Sequence, residues 1–328
     1  MNYKVRLKNN KEFSCESSKT ILEAALEQGI ALEYSCLSAR CRSCVVKVIE
    51  GKCENIKDDI VLLEEEKKQG FVLSCNAMPC SDLQLDVKDL GVQLFKKQIV
   101  PAKINLISIL SPDIVRVELR LPPTASFKFI PGQFVNIIRG GEKRSYSLAN
   151  VPNIENRLEF LIRNYEGGLF SKYWFEEAKQ NDLLRIEGPL GTFFYRDNPD
   201  CKHIVLLATG TGIAPIQSLL TQFTRQPDLV KNKEVWLFWG GRKREDLFLE
   251  IAFDNDNFRY IPVLSREENW NGEKGYVQDI ASKQNIDWSR TQVYACGSPL
   301  MIDTSKRILI EKGLQENLFF ADSFVSTN

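Results

Sequence analysis

The spacing of apolar and polar residues changes along the chain and divides it into three stretches. In residues 1–88, two short alternating runs on either side of an Asn-Asn dipeptide predict a β-hairpin. Thr20 followed by Glu23 has the capping-box pattern of a helix start, and we expect Gly29 to end that helix. The alternation in DLQLDV predicts a half-buried strand that completes a small α+β unit.

The other two stretches have different rhythms. Residues 102–197 contain many short strand-like runs separated by turn residues, among them IVRVELRL and FIPGQFVNII, and one predicted helix over FSKYWFEEAK. This series predicts an antiparallel β-barrel. In residues 200–328, apolar runs such as HIVLLA and EVWLFW alternate with helical stretches such as PIQSLLTQF. That alternation predicts a parallel sheet with helices on its faces.

We therefore expect a multidomain chain that combines α+β, β-barrel and α/β parts, with domains at residues 1–90, 100–197 and 200–328. A length of 328 residues suffices for full hydrophobic cores without staples. The 43 Lys and Arg residues balance the 43 Asp and Glu residues, so no global charge attracts the chain to nucleic acid or to an anionic membrane. We expect neither as a partner.

The cysteines indicate a metal site. The chain starts without an apolar signal segment and has no apolar run of membrane-spanning length, so we expect a cytoplasmic protein with reduced thiols. Six of the nine cysteines lie between Cys36 and Cys80, and such clustering in a reducing compartment favours metal binding over disulfides. The single histidine, His203, argues against His-based metal sites and His-dependent triads.

The cysteine spacing favours a two-iron cluster. Cys36-x4-Cys41-x2-Cys44, followed about 30 residues later by Cys75, is the plant-type spacing of a [2Fe–2S] centre. The alternatives are a zinc ribbon and plain free thiols, but zinc sites prefer two C-x2-C pairs and this segment has one. Cys80 competes with Cys75 as the fourth ligand, and we prefer Cys75.

Residues 1–88 resemble a plant-type ferredoxin domain, and the resemblance implies a β-grasp fold. It implies as cluster ligands Cys36, Cys41, Cys44 and Cys75. One departure is Arg42, because such loops usually have glycine after the second cysteine. Arg40 and Arg42 make the rim of the loop basic, which fits either solvated charges or a docking rim for an acidic partner surface.

The middle stretch offers groups that suit a flavin. A [2Fe–2S] centre takes one electron at a time, so a flavin is needed to split the electron pair of a hydride donor. In RSYSLAN, Arg144 can neutralise a pyrophosphate, Tyr146 can stack on an isoalloxazine ring, and Ser147 can offer a hydroxyl near N5. Gly168 and Ser171 begin a predicted helix, where backbone N–H groups bind phosphate well.

The last stretch carries two glycine motifs for a dinucleotide. LLATGTGIAP follows a predicted strand and opens a predicted helix, and Gly210 and Gly212 permit a tight turn and a close approach of the ligand. Pro215 stands where the third glycine of the Rossmann fingerprint would be, so this is a different motif. VYACGSPLM provides the second element, with Cys296 and Gly297 at the end of another apolar run.

These motifs, together with IPGQFV and IEGPLGTF in the same order, resemble the ferredoxin–NADP reductase superfamily. The resemblance implies that Cys296 lies near the nicotinamide C4 and that Phe324 lies near the flavin, a buried anchoring aromatic being the alternative for Phe324. It implies catalytic roles for Tyr146, Ser147 and Cys296. The residues that it assigns to cofactor binding are Arg144, Ser145, Tyr146, Ser147, Leu161, Ile162, Arg163, Gly168, Leu169, Phe170, Ser171, Thr209, Gly210, Thr211, Gly212, Pro215, Ser265, Arg266, Cys296, Gly297, Pro299 and Phe324.

The expected cofactors are FAD, a [2Fe–2S] cluster and NADH, with NADPH as the alternative nucleotide. Ser265, Arg266 and Lys274 in LSREENWNGEKGYVQ suit a 2′-phosphate, and Ser-Arg here resembles NADP-dependent enzymes. However, NWNGEKGYV is more similar to NADH-dependent oxygenase and sugar reductases.

Two families share this domain order. They are the CDP-6-deoxy-Δ3,4-glucoseen reductases and the reductase components of aromatic-ring dioxygenases and multicomponent monooxygenases. ELRLPPTA, RSYSLANVP, LLRIEGPLGTFF and FFADSFV resemble the sugar reductases. The resemblance implies electron transfer from NADH through FAD and the cluster to a pyridoxamine-phosphate-dependent 3-dehydrase that makes CDP-3,6-dideoxyhexoses for O-antigen, with an oxygenase as the alternative acceptor. A carrier without nucleotide binding would not need the intact TGTGIAP and CGSP motifs.

Overall fold

The computed structural model describes residues 1–58 and 60–325, which fold into two compact units, Met1–Phe95 and Lys96–Phe324. The elements of the first unit are β1 Asn2–Leu7, β2 Glu12–Glu16, α1 Ile21–Glu27, β3 Val45–Glu50, β4 Cys53–Asn55, α2 Glu64–Lys68, β5 Phe71–Leu73, β6 Ala77–Pro79 and β7 Leu83–Leu85. Five of the strands form a mixed sheet in the order β2-β1-β7-β3-β5, and β4 pairs with β6.

The local signals in the first unit produced the expected structure. The predicted hairpin is confirmed as the antiparallel pair β1 and β2. Thr20 and Glu23 form a reciprocal capping box, and Gly29 follows the end of α1 with φ +74°. The apolar face of α1 packs with the inward side chains of β1 and β7 in one core. A mixed sheet covered by a helix is the arrangement expected of a β-grasp fold.

The second unit begins with an antiparallel barrel. Its elements are β8 Gln98–Ser111, β9 Ile114–Arg120, β10 Phe134–Arg139, β11 Glu142–Ser147, β12 Arg157–Arg163, α3 Leu169–Lys172 and β13 Leu183–Leu190. The strand order is β11-β10-β13-β8-β9-β12, and every hydrogen-bonded pair is antiparallel. Just beyond β11, the backbone N–H of Ala149 donates to the carbonyl of Glu159 in β12 at 2.8 Å, which brings the two ends of the sheet together.

The single helix predicted over residues 170–179 needs correction. The α-helix covers only Leu169–Lys172, and a π-helical turn, Tyr173–Glu177, follows it. The turn is closed by the N–H of Ala178, which donates to the carbonyl of Tyr173 at 2.7 Å. Lys179 lies beyond the helix, because its N–H donates to the carboxylate of Asp182 instead.

The unit continues with a parallel sheet. Its elements are β14 His203–Thr209, α4 Ile213–Arg225, β15 Glu234–Gly241, β16 Phe258–Leu264, β17 Glu273–Lys274, α5 Val277–Ala281, β18 Thr291–Gly297, α6 Pro299–Glu311 and β19 Phe319–Ser323. The order is β17-β16-β15-β14-β18-β19. From β14 the chain first adds strands on one side and then on the other. The carboxyl ends of β14 and β18 therefore flank a topological switch point, where open α/β sheets bind ligands.

One hydrophobic core crosses from the barrel to the parallel sheet. Leu161 of β12, with Phe193 and Tyr195 just after β13, packs in the same buried cluster as Trp239 and Tyr294 of the parallel sheet. A division of the second unit into domains at residues 100–197 and 200–328 stays a prediction.

Candidate functional site

The four predicted cluster cysteines lie in two pairs. The sulfurs of Cys44 and Cys75 are 3.3 Å apart, and the backbone N–H of Cys36 donates to the sulfur of Cys41 at 3.4 Å. Cys80 is exposed, and its backbone N–H donates to the carbonyl of Lys52. Among residues 1–58 and 60–325, no three His, Cys, Asp or Glu side chains surround a single metal position. Two sulfur pairs suit a centre that has two irons and four cysteine ligands.

The ionisation of these thiols fits a cationic centre. Hydrogen bonding by the Cys41 thiol, aided by backbone N–H groups, lowers the pKa of Cys36 to about 5, although burial opposes this. The Cys44 thiol likewise lowers the pKa of Cys75. Within each pair the other member has a raised pKa, because Cys41 and Cys44 donate to their partners and are buried. In each pair one thiol thus ionises more easily than an ordinary cysteine, and bound iron would remove the remaining protons.

Backbone amides point at the sulfurs from within the loop. The N–H groups of Ser38 and Arg40 both donate to Cys36 Sγ at 3.4 Å. The path that allows this includes two non-glycine residues with left-handed backbone, Leu37 at φ +52° and Ala39 at φ +59°. Such N–H···S bonds are among the factors that set the potential of an iron–sulfur centre.

The predicted flavin residues of β11 divide between its two faces. Arg144 and Tyr146 lie on one face, and each contacts Phe170, the Tyr146 ring at 6.2 Å between centroids and the guanidinium at 5.9 Å. The hydroxyl of Tyr146 accepts from the indole N–H of Trp174 at 3.1 Å, and burial raises its pKa. Ser145 faces the other way, where its hydroxyl donates to Asn136 at 2.7 Å.

The predicted phosphate-binding helix start stays a prediction, and its polar side chain, that of Ser171, takes part in a local turn. The helix after Gly168 has only four residues. The side chain of Ser171 is buried, and its hydroxyl accepts from the N–H of Tyr165 at 2.8 Å. Phe170 packs into the barrel core, whereas Leu169 is exposed. Ser171 therefore stabilises the turn that precedes the helix.

The residues predicted in β12 lie at the junction of barrel and parallel sheet. Ile162 points into the barrel core, and Leu161 packs in the core shared with the parallel sheet. The guanidinium of Arg163 reaches the carboxylate of Asp246 at 2.6 Å. Burial alone would raise the pKa of Asp246, but the N–H groups of Arg242 and Lys243, together with Arg163, lower it overall.

The two glycine motifs pack against each other at the carboxyl ends of β14 and β18. A β-carbon on Gly212 would lie 2.3 Å from the carbonyl oxygen of Cys296. A β-carbon on Gly297, which has φ +147°, would lie 2.2 Å from the hydroxyl oxygen of Thr209. Glycine is thus required at both positions, and the two turns form one surface at the switch point. Thr211 is buried beside them.

Each motif also begins a helix. Pro215 lies in the first turn of α4. Pro299 is the first residue of α6, and Ser298 caps that helix by accepting from the N–H of Met301 at 3.3 Å. Phe324 lies close to the second motif, because its N–H donates to the carbonyl of Gly297 at 2.8 Å.

The structure adds a buried carboxylate that the sequence reasoning missed. The hydroxyl of Ser147 donates to Asp322 at 3.1 Å, and the sulfur of Cys296 lies 4.0 Å from the same carboxylate oxygen. Burial, and then the charge of Asp322, raise the pKa of Cys296 well above its usual range. Ser147, Cys296 and Asp322 therefore form one group at the carboxyl ends of β11, β18 and β19. The available signal was an acidic residue inside the mostly apolar run FFADSFV.

The predicted nucleotide-specificity residues lie at the exposed end of β16. Ser265 and Arg266 are exposed, and their N–H groups donate to the carbonyls of Gly241 and Arg242. Lys274 is also exposed, with its ammonium donating to the carbonyl of Glu268 at 2.8 Å. The loop after β15 carries further cations, Arg242, Lys243 and Arg244, and the Arg242 carbonyl accepts from the N–H of Arg266.

Comparison with known proteins identifies the family. Three family models match in order: a 2Fe-2S iron-sulfur cluster binding domain at residues 5–80, an oxidoreductase FAD-binding domain at 101–195 and an oxidoreductase NAD-binding domain at 206–307. The chain belongs to the ferredoxin–NADP reductase superfamily. It carries the N-terminal ferredoxin domain of the iron–sulfur flavoprotein reductases, as the resemblance stated above predicted.

Individual relatives match the reductase over nearly its whole length. It is 37% identical over 319 residues to the CDP-6-deoxy-L-threo-D-glycero-4-hexulose-3-dehydrase reductase of Yersinia pestis, covering 95% of each chain. It is 31% identical over 341 residues to the phenol 2-monooxygenase reductase component DmpP of a Pseudomonas species, covering 99% of this chain and 95% of that one. A solved structure, the Amycolatopsis cytochrome P450 reductase GcoB, superposes with a TM-score of 0.77 at 25% identity over 99% of both chains.

These matches confirm the fold class and the cofactors expected of the reductase, which are FAD, a [2Fe–2S] cluster and a nicotinamide dinucleotide. The structure fits them independently, through the paired cysteine sulfurs and through two turns at a switch point whose glycines admit no β-carbon. No helix within residues 1–58 and 60–325 is long and apolar enough to span a membrane.

Proposed function

We propose that this reductase passes electrons from NADH through FAD and the [2Fe–2S] cluster to the pyridoxamine-phosphate-dependent 3-dehydrase that makes CDP-3,6-dideoxyhexoses for O-antigen. The observation that carries the choice of acceptor is the 37% identity to the Yersinia dehydrase reductase, against 31% to the phenol monooxygenase reductase. The second candidate acceptor is an oxygenase, which the near-complete coverage by the monooxygenase relative supports. The reaction belongs in the cytoplasm, where thiol ligands stay reduced.

The cofactors supply the redox chemistry: flavin accepts a hydride and releases single electrons, which the cluster can carry. The protein's task is to hold and shield them. Asp322 fixes the hydroxyl of Ser147 by accepting its hydrogen bond. Cys296 is fully buried and its raised pKa keeps the thiol neutral at physiological pH, so it adds no charge where the nicotinamide ring would lie. Trp174 fixes the orientation of the Tyr146 ring.

We assign the cluster to Cys36, Cys41, Cys44 and Cys75 within residues 1–90, FAD to residues 100–197 and the nucleotide to residues 200–328. The remaining site assignments are those given from the sequence, with Asp322 added to Ser147 and Cys296. Tyr146, Ser147 and Cys296 keep their proposed catalytic roles.

The proposed nucleotide is NADH. Exposed Ser265, Arg266 and Lys274 could also contact a 2′-phosphate, so the choice is tested directly by the ratio of kcat/KM for NADH to that for NADPH. A ratio above one supports NADH, and a ratio below one transfers the proposal to NADPH.

The acceptor is tested by anaerobic NADH oxidation in a mixture of this reductase, the 3-dehydrase, its pyridoxamine cofactor and CDP-4-keto-6-deoxyglucose. NADH consumption that depends on the sugar, with a 3-deoxy product, supports the proposed acceptor. Reduction of flavin and cluster without sugar turnover removes the dehydrase and leaves an oxygenase component as the acceptor. Absence of flavin reduction would refute the nicotinamide-binding assignment.

A further inference from the structure

Arg42 has an unusual backbone for its residue type. It follows the predicted ligand Cys41 and has φ +62°, in the left-handed region that glycine enters freely and most other residues avoid. Its carbonyl accepts from the N–H of Val45, the first residue of β3, at 3.2 Å. Arg42 therefore lies where the cluster loop joins the sheet, in a conformation that its own side chain does not favour.

The side chain of Arg42 is held by a two-pronged ion pair. Its two terminal nitrogens lie 2.5 Å and 3.0 Å from the two carboxylate oxygens of Glu66, and one of them also donates to the carbonyl of Val61. This fork-to-fork geometry is the strongest form of a charged side-chain pair. We call these two residues and their contact the Arg42–Glu66 clamp.

The other end of the clamp is equally fixed. Glu66 lies in the first turn of α2, and its carboxylate also accepts from the N–H of Leu63 at 2.8 Å. The Arg42 guanidinium, with Leu63, lowers the pKa of Glu66, so the carboxylate is ionised at neutral pH. The clamp thus joins the cluster loop to a segment more than twenty residues further along the chain.

We propose that Arg42 and Glu66 are positioning residues for the [2Fe–2S] cluster. The clamp holds the loop in its wound path, so that backbone N–H groups keep pointing at the cysteine sulfurs, as those of Ser38 and Arg40 do towards Cys36. It also places one positive and one negative charge next to the loop that carries Cys36, Cys41 and Cys44. The proposal concerns the cluster itself and holds whichever acceptor the reductase serves.

The two charges lead to opposite effects on the cluster potential. Reduction adds negative charge to the cluster, so an unpaired cation nearby favours it and an unpaired anion opposes it. Glu66→Gln leaves the positive charge of Arg42 without its carboxylate partner and raises the reduction potential of the cluster. Arg42→Gly leaves Glu66 unpaired and lowers it. A role limited to folding would not shift the potential in opposite directions.

Cluster retention supplies the second readout. Arg42→Gly suits the left-handed backbone and removes the clamp together with the hydrogen bond to Val61, so added backbone strain cannot explain a loss of the cluster. We expect it to lose the cluster to an iron chelator about tenfold faster than the unchanged protein, at the low end of the effects of outer-shell partners on metal affinity. Arg42→Lys keeps the charge but not the fork, so it loses the cluster faster with a nearly unchanged potential.

The experiment uses the full holoenzyme, with the cluster followed by its visible absorbance and by electron paramagnetic resonance in a redox titration. Arg6→Gln is the matched control, because Arg6 forms an ion pair with Glu12 at 2.8 Å in the β1–β2 hairpin, outside the cluster loop. We expect it to change neither readout. Circular dichroism and thermal unfolding of each variant verify that Met1–Phe95 is folded, and NADH-driven flavin reduction verifies that the second unit is intact. Unchanged cluster retention in Arg42→Gly, or potentials that shift in the same direction in Arg42→Gly and Glu66→Gln, would overturn the proposal.

Discussion

Replacing Gly212 with alanine should disable hydride transfer although the substitution adds a single methyl group. The backbone of Gly212 has φ −60°, which alanine adopts without strain. The obstacle is space, because the added carbon would meet three backbone atoms of the neighbouring turn: the carbonyl oxygen of Cys296 at 2.3 Å, its carbonyl carbon at 2.7 Å and the nitrogen of Gly297 at 3.0 Å. Backbone atoms of a buried strand end cannot rotate away as a flexible side chain can.

The size of the effect follows from these distances. Ordinary contact begins near 3.4 Å, so the two turns must separate by about 1 Å (3.4 − 2.3 = 1.1). A misplacement of about 1 Å in a binding site can reduce the rate about 100-fold. Overpacking of this kind costs about 1–3 kcal/mol of folding stability. We therefore expect a protein that still folds and still holds flavin but is reduced by NADH about 100-fold more slowly.

The assay is anaerobic stopped-flow measurement of flavin bleaching by NADH, with flavin content and thermal unfolding measured on the same preparation. Gly313→Ala is the control, because Gly313 has φ +104° just after α6 and an added carbon there would meet no atom within 4 Å. It should lose some stability through backbone strain and keep its bleaching rate. A normal rate in Gly212→Ala would refute the reasoning that contact between the two turns shapes the nucleotide site.

Four further substitutions test the remaining parts of the site. Asp322→Ala removes the carboxylate that accepts the hydrogen bond of the Ser147 hydroxyl. A hydrogen bond to a charged group contributes about 1.5 kcal/mol or more, which corresponds to about tenfold in rate. We therefore expect flavin bleaching by NADH to be about tenfold slower at unchanged flavin content. Cys75→Ser should lose the cluster absorbance and keep NADH-driven flavin reduction, whereas Cys80→Ser should keep both. Asp246 has a lowered pKa in the folded chain, so its ionised carboxylate stabilises the fold at pH values above the ordinary aspartate pKa of about 3.9. This stabilisation is lost as the pH falls through the lowered pKa of the folded chain. Asp246→Asn should therefore unfold at lower temperature at neutral pH, with a difference that shrinks below about pH 4.

Each of these has a result that would count against it. An unchanged bleaching rate in Asp322→Ala would mean that the buried carboxylate serves only packing. Loss of the cluster in Cys80→Ser, with retention in Cys75→Ser, would reverse the ligand assignment. A stability difference for Asp246→Asn that persists unchanged in acid would mean that charge on this carboxyl is not what stabilises the fold.

Short-range features of this chain could be predicted from its sequence because neighbouring residues determine them. The capping box at Thr20 and Glu23 needs three residues of separation, and the turns at Gly210 and Gly297 follow directly from glycine after a buried strand. The cysteine spacing likewise constrains one loop. Each of these signals depends on a few positions, so the pattern of apolar and polar residues was sufficient.

The buried carboxylate was missed because its contacts depend on long-range strand register. Ser147 contacts Asp322 across 175 positions, and β19 pairs with β18 so that Cys296 lies opposite the same aspartate. Nothing in the local sequence specifies that pairing. The π-helical turn after α3 was also missed, since it adds one residue to a helical turn that has ordinary helix formers on its surface.

The core that crosses from the barrel to the parallel sheet determines which parts of this chain can be exchanged. Phe193 and Tyr195 are buried against Trp239 and Tyr294, so cutting the chain between barrel and sheet would expose apolar surface on both sides of the break. We therefore expect the barrel and the parallel sheet to unfold in one transition and to be kept together when genes recombine. Met1–Phe95 has a hydrophobic core of its own, so we expect that gene fusion can add, remove or replace it as a separate unit.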